Sequence, residues 1–197
     1  MIGDAKTVEA PVRSPSASTI SLNLIWPSLL VALVALAGSL WLSIGMKLKA
    51  CPLCFYQRTF VMGVVAILII GLLAGPRHWA VLNLLALPLT IAGLGVAVFH
   101  VYLELTGKLE CPPGVLGIGT SPQQSLAALI LLVIIVMLGI IRSRQVGEPH
   151  PAAAVAGIVL GLLLAWGAVA SSPPMPPSPT QAYTTPLDIC RPPYHGP

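Results

Sequence analysis

Of 197 residues, 56% are hydrophobic and only 8% are charged, and the mean hydropathy is +0.90, a balance no soluble domain of this length carries. The formal net charge of +4, from ten Lys and Arg against six Asp and Glu, forms no clustered basic stripe of the kind that nucleic-acid binding uses. What remains is an integral membrane protein of spanning helices, because lipid forces each crossing segment to satisfy its own backbone hydrogen bonds.

Residues 1–23 are polar and rich in small side chains, with Asp4, Lys6, Glu9 and Arg13 in no periodic pattern, and read as a flexible cytoplasmic tail. The first apolar run extends from Leu24 to Met46, with Pro27 expected in the first helical turn, where its missing N–H does least harm. A secretory signal is the competing reading, but its apolar core spans only about 7–15 residues, so a retained helix is favoured. The second run covers Cys51 to Ala74 and closes on Gly75, Pro76, Arg77 and His78; the third runs from Trp79 to Leu105. A loop containing Lys108, Glu110, Cys111, Pro112 and Pro113 leads to the fourth run, Ser125 to Ile141, ended by Arg142 and Arg144. The fifth, Ala152 to Ala170, places Gly157 and Gly161 four apart, a spacing that lets a neighbouring helix approach closely. From residue 171 to 197 nine prolines break any regular element, so this tail reads as an extended spacer reaching up to roughly 60 Å by Cys190.

Five crossings put the first link, the third-to-fourth link and the C-terminal tail on one face, and Cys51, Cys54, Cys111 and Cys190 all fall there. The charges near helix ends do not orient the bundle by count. Lys47, Lys49, Arg58, Lys108 and Arg191 lie on the cysteine face, against Lys6, Arg13, Arg77, Arg142 and Arg144 opposite. Setting aside Arg58 as a site residue and Arg191 as remote from any helix end tilts the positive-inside rule toward a cytoplasmic N-terminus.

Chemistry concentrates at Cys51-Pro52-Leu53-Cys54-Phe55-Tyr56-Gln57-Arg58. A Cys-x-x-Cys pair closes a small, readily exchanged disulfide ring, and a helix opening at Pro52 would turn its free N–H groups toward a thiolate. On that helix Arg58 shares a face with both cysteines, about 6 Å along the axis beyond Cys54. A guanidinium just inside an apolar boundary needs a polar partner and marks a functional position; the plainer reading is that it snorkels to the headgroups.

This octapeptide, at the start of the second helix after a short first loop, resembles the disulfide bond formation protein B (DsbB) family of bacterial inner-membrane oxidoreductases, through its Cys-x-Leu-Cys-x-x-x-Arg pattern. The resemblance spans roughly Leu24 to Ile141. It implies an all-α membrane protein with a DsbB-like four-helix transmembrane bundle over residues 24–141, to which this chain adds a fifth helix (142–170) and a Pro-rich tail (171–197). The implied activity is re-oxidation of a periplasmic DsbA-like thioredoxin-fold protein, with electrons passed to membrane quinone, ubiquinone or menaquinone. By position, Cys54 is implied as the thiolate facing the quinone and Cys51 as the thiol exchanging with a second pair. Arg58 is implied in quinone binding, and Cys111 as the sulfur attacked by the partner. His100 resembles a family histidine close to the quinone, although a histidine near a helix end is also a common polar anchor. The family pattern places a fourth cysteine in the same loop as Cys111. Residues 112–124 contain none, and the resemblance transfers that role to Cys190, implying a Cys111–Cys190 disulfide delivered by the extra helix.

Three other classes compete. Four thiols on one side have the ligand count of a structural zinc site, although Cys111 and Cys190 do not form a tight ligand pair. A vitamin K epoxide reductase type of bundle also uses quinones, but carries its redox pair on a late helix. A merely stapled structural or transport bundle is the third; mid-span charges, which mark ion pathways, are missing.

Overall fold

The computed structural model describes residues 16–75, 78–144, 151–174, 176–177 and 179–194. Five long helices follow one another: α1 (Ser16–Ile44), α2 (Pro52–Ala74), α3 (Trp79–Leu105), α4 (Ser121–Arg144) and α5 (Pro151–Ala170), with a 3-10 turn, Val115–Gly117, before α4. All five hold a stretch long and apolar enough to cross a membrane. Among the described residues there are no strands, only two isolated β-bridges. The chain is an all-helical, multi-pass membrane protein.

Local sequence explains most of the helix ends. Pro52 occupies the first turn of α2, whose end at Gly75 has φ 87, a conformation that favours glycine. Pro122 and Pro151 likewise stand at the starts of α4 and α5, where a missing N–H costs no helical hydrogen bond. These prolines set both starts earlier than the apolar runs alone indicate. α1 differs more. It begins at Ser16, so residues 16–23 are helical rather than tail, and Pro27 lies inside the helix instead of in its first turn. Nothing in Ser16–Asn23 breaks a helix, and extending an existing helix is far easier than nucleating one. Beside Pro27, the Ser28 hydroxyl donates to the Leu24 carbonyl at 2.9 Å. Residues 1–15 of the expected tail, and Arg77 between α2 and α3, lie outside the described residues.

α3 is the central helix. It packs against α2, α4 and α5, while α1 closes the bundle against α2 and α4. Leu68, Leu87, Leu132 and Val136 meet in the bundle core, while Leu30, Ile70, Leu73, Leu138 and Leu163 point outward and remain exposed, the arrangement expected where lipid replaces water. At one end the buried Trp79 indole donates to the Gly71 carbonyl at 2.8 Å, tying α2 to α3.

α5 reaches α3 through its glycines. A Cβ at Gly161 would lie 2.6 Å from the Ile91 Cβ and 2.7 Å from the Pro88 carbonyl oxygen, and one at Gly157 would lie 3.2 Å from Leu87. The small-residue spacing in α5 therefore marks a real close approach. One turn further on, Gly95 of α3 returns the relation by accommodating Ala165. This contact brings the C-terminal end of α5 beside the cysteines, where Ala165 and Ala168 are buried.

The tail after α5 is no free spacer. The Tyr183 hydroxyl donates to the Pro192 carbonyl at 2.8 Å, and the Arg191 guanidinium stacks 3.7 Å from the centre of the Tyr183 ring. Proline prevents regular structure here, but it also lowers the entropy that such a fold-back must overcome.

Candidate active site

Cys51 caps α2. Its backbone is extended, with φ −70 and ψ 161, its carbonyl accepts from the Phe55 amide, and its sulfur accepts from the Cys54 amide at 3.3 Å. The reason is local: Pro52 has no N–H and holds its predecessor in extended conformation, which turns the Cys51 side chain over the helix start. Cys51 and Cys54 are unbonded thiols with sulfurs 2.9 Å apart. The hydrogen bond from Cys54 holds the Cys51 thiol below its ordinary pKa; burial opposes this, and contact with His100 adds to the lowering.

The second pair arrives from two distant segments. Cys111 follows α3, Cys190 lies in the tail, and the two are joined as a disulfide across a separation of 79 residues. A short backbone ladder aligns them: the Glu110 amide donates to the Arg191 carbonyl at 2.8 Å and the Arg191 amide to the Glu110 carbonyl at 3.0 Å. The Lys49 amide donates to the Asp188 carbonyl at 2.8 Å, and the Lys49 ammonium meets the Asp188 carboxylate at 3.0 Å. That contact holds the Asp188 carboxyl below the usual range. The tail thus forms a strap over the cysteine end of the bundle. Cys111 beneath it is only 6% exposed.

His100 of α3 links the pairs. Its ring is fully buried; Nε2 lies 3.8 Å from the Cys51 sulfur and 3.6 Å from that of Cys111. On the other side, Nδ1 faces the Gln57 amide at 3.4 Å, and the Ser125 hydroxyl donates to the Gln57 side-chain oxygen. The sulfurs of Cys51, Cys54 and Cys190 and a ring nitrogen of His100 all lie within 4.8 Å of one another.

A cavity of about 500 Å³ opens beside this cluster, lined by Cys54, Gln57, Arg58 and Ser125, by Ser39 and Ser43 of α1, and by Cys190. Its long wall is apolar, with Leu30 and Val34 among its residues; both also reach the outer surface of α1, at 63% and 64% exposure, so the cavity opens toward the bilayer. Arg58 is fixed at the polar end. Its Nε donates to the Ser39 hydroxyl at 3.0 Å, and Nη2 donates to the Ser39 carbonyl at 2.8 Å and the Ser43 hydroxyl at 2.6 Å. Among the described residues no carboxylate pairs with it, since the one ion pair there is Lys49–Asp188. The guanidinium is therefore held by α1 at the cavity wall.

All six residues singled out from the sequence stand together, but in two groups. Cys54, Arg58 and Cys190 line the cavity, whereas Cys51, Cys111 and His100 do not. The sequence reading missed Ser39, Ser43, Gln57 and Ser125. Two serines four apart in the apolar run of α1 were the available signal for an Arg58 partner, and Gln57, 4% exposed, was hidden between the two residues that drew attention. Gln124 was missed as well. Its side chain accepts from the Val115 amide at 2.8 Å and donates to the Val115 and Ile118 carbonyls, which shapes the loop carrying Cys111.

The family described as "Disulfide bond formation protein DsbB" matches residues 23–129. Disulfide bond formation protein B 2 of Burkholderia lata is 35% identical over 75 residues, which cover 38% of this chain and 44% of that protein, so the chain matches less than half of that relative's length. Disulfide bond formation protein C of Bacillus subtilis is 33% identical over 128 residues, covering 58% and 90%. A probable disulfide formation protein of Metapseudomonas resinovorans is 30% identical over 143 residues, covering 66% and 97%. No solved structure matches. The family match ends within α4, so α5 and the Cys190 strap lie beyond it. With the Cys-x-x-Cys pair capping a membrane helix beside a second cysteine pair, the chain belongs to the DsbB family of membrane disulfide bond formation proteins.

Proposed function

We propose that this protein re-oxidises a DsbA-like dithiol protein and delivers the electrons to membrane quinone, in the bacterial inner membrane with the cysteines on the periplasmic face. One observation carries the reading: Cys54 opens onto the cavity that Arg58 lines, while its partner Cys51 lies outside that lining, beside His100. The residues fit a quinone. The cavity is apolar along its length, polar at the Cys54 end, and within the size range of small-molecule sites. When bound, the quinone supplies an acceptor for two electrons and two protons.

The chain's own steps are thiol exchanges. The partner's thiolate attacks Cys111, forming a mixed disulfide and expelling Cys190 as thiolate. Cys190, within 4.8 Å of the inner pair, attacks Cys51 of the oxidised Cys51–Cys54 disulfide and expels Cys54. The partner's second thiol resolves its mixed disulfide and leaves Cys111 reduced; the Cys111 thiolate then attacks Cys190, restoring the outer disulfide and releasing Cys51. Two electrons and two protons now reside on Cys51 and Cys54, and leave as that disulfide re-forms. His100 Nε2, between Cys51 and Cys111, is placed to hold a proton of either thiol. Arg58, immobilised by two serines of α1, holds positive charge where negative charge collects, at Cys54 and on the bound acceptor.

The test is Arg58→Met. Loss of a charged hydrogen-bond donor, about 1.5–3 kcal/mol, should raise the quinone KM roughly 10- to 150-fold with reduction of the outer disulfide by partner unchanged. An unaltered quinone KM would remove Arg58, and the cavity with it, from the reaction.

A further inference from the structure

We propose that the fully reduced protein binds one soft divalent cation such as zinc, through Cys51, Cys54, Cys190 and His100, and that this metal arrests the enzyme. A tetrahedral zinc with Zn–S of about 2.3 Å and Zn–N of about 2.0–2.1 Å sets its sulfurs about 3.8 Å apart and each about 3.6 Å from the nitrogen. In the structure the Cys51 sulfur stands 3.8 Å from His100 Nε2, the Cys51 and Cys54 sulfurs are 2.9 Å apart, and all four ligand atoms lie within 4.8 Å of one another. Rearrangements of about 1 Å or less complete the site.

The surroundings suit a ligating histidine. Such a ring keeps its second nitrogen on a hydrogen-bonding partner that fixes the tautomer. His100 Nδ1 faces the Gln57 side-chain amide at 3.4 Å, and that amide is held from behind by Ser125. A half-turn of the amide presents its oxygen to an Nδ1–H, and the Ser125 hydroxyl then accepts from the amide nitrogen. Nε2 is thereby left with a lone pair aimed at the sulfurs.

Oxidation state gates the site, because a disulfide sulfur offers no thiolate. The Cys111–Cys190 bond must first take two electrons and two protons from a dithiol reductant, giving two thiols. The metal then replaces up to three thiol protons, which pass to solvent. With Cys51 and Cys54 held as ligands their disulfide cannot re-form, so their two electrons stay on the protein. The arrest rests on the oxidoreductase reading above; the metal site itself does not.

The experiment titrates purified full-length protein with cobalt(II), with and without prior reduction by dithiothreitol and its removal. One cobalt per chain should bind the reduced form, with the intense visible bands of a tetrahedral thiolate complex, and zinc should displace it. The oxidised form should show none. Gln57→Ala should weaken binding about 10- to 100-fold, and Cys190→Ser and His100→Ala, which each remove a ligand, should weaken it more. Cys111→Ser, which leaves Cys190 permanently free, should keep it and bypass the need to reduce the outer pair. Equal binding by oxidised protein, no binding by reduced protein, or indifference to Cys190→Ser each overturns the proposal. Because Cys190 lies in the strap, its replacement should leave the thermal unfolding of the helical bundle unchanged. Zinc should also halt quinone reduction by the reduced enzyme, reversibly on chelation. Cobalt binding without any quinone turnover would count against the oxidoreductase reading alone, and turnover without cobalt binding against the metal site alone.

Discussion

The two cysteine pairs are held in opposite ways. Cys51 caps a spanning helix and Cys54 sits in its first turn, and their positions follow from Pro52, the cap and the packing of α2 on α3. Cys190 is held by a two-residue backbone ladder, an exposed ion pair and a disulfide, all in a segment without regular structure. The inner pair is thus fixed beside the cavity by a helix, and the outer pair is covered by a strap that a few contacts hold in place. The proposed attack on Cys111, 6% exposed beneath the strap, therefore requires the strap to move aside.

The comparison implies that the inner half works alone. Cys190→Ala should abolish oxidation of a protein dithiol while preserving quinone reduction driven by a small dithiol, which bypasses the outer pair. Parallel turnover assays with the two reductants check this. Loss of both activities would show that the strap also shapes the inner site, and retention of both would remove Cys190 from the relay.

The inner half was also the legible one. Helix number came from hydropathy because a membrane imposes a minimum apolar length, and the Cys-x-x-Cys and Arg58 share a helical face by spacing alone. The outer half was less so. An extended spacer was expected of the proline-rich tail, whereas Arg191 on Tyr183 folds the tail on itself and Asp188 ties it to Lys49, far away in sequence. His100 shows the same limit. Its position near the site was readable, but its place between the two pairs, away from the cavity wall, depends on the rotation of α3, which no local pattern specifies. The start of α1 was obscured for a different reason: polar residues 16–23 carry no hydropathy signal, yet contain nothing that stops a helix.

α5 connects the halves, and its seat is a second place to break the comparison. Gly161→Leu drives a side chain into Ile91 and the Pro88 carbonyl, an overpacking that should cost about 1–3 kcal/mol. Gly167→Leu, where nothing lies within 4 Å, is the control. Thermal unfolding in detergent should show the difference, and the Gly161 variant should lose coupling between the pairs before it loses reaction at Cys51 and Cys54. Equal melting of the two variants would mean that α5 is not anchored at this crossing.

A smaller effect separates the contributions to thiol activation. The lowered pKa of Cys51 keeps its thiolate populated as pH falls below the ordinary thiol value of about 8.5, until the pH passes through the lowered one. Site-resolved alkylation of the reduced protein should therefore persist at Cys51 in mildly acidic buffer. His100→Ala should move the profile upward only in part, because the larger cause, the hydrogen bond from Cys54, remains. A full return to the ordinary thiol profile would make His100 the dominant influence.

The smallest effect concerns the strap's ion pair. Asp188 has a lowered pKa through Lys49, so its contribution is present above the usual carboxylate range and is lost as pH falls through the lowered value. Lys49 is 71% exposed, which limits what the charge can add. Asp188→Asn should speed reduction of the Cys111–Cys190 disulfide by an external thiol by less than about fivefold, and high salt should act on the unmutated chain in the same direction. The backbone bonds from Lys49, Glu110 and Arg191 persist in that variant, so a larger acceleration would mean that the ladder follows the ion pair. No acceleration would mean that the ladder alone keeps the strap closed, and that the outer pair is more firmly held than its lack of regular structure suggests.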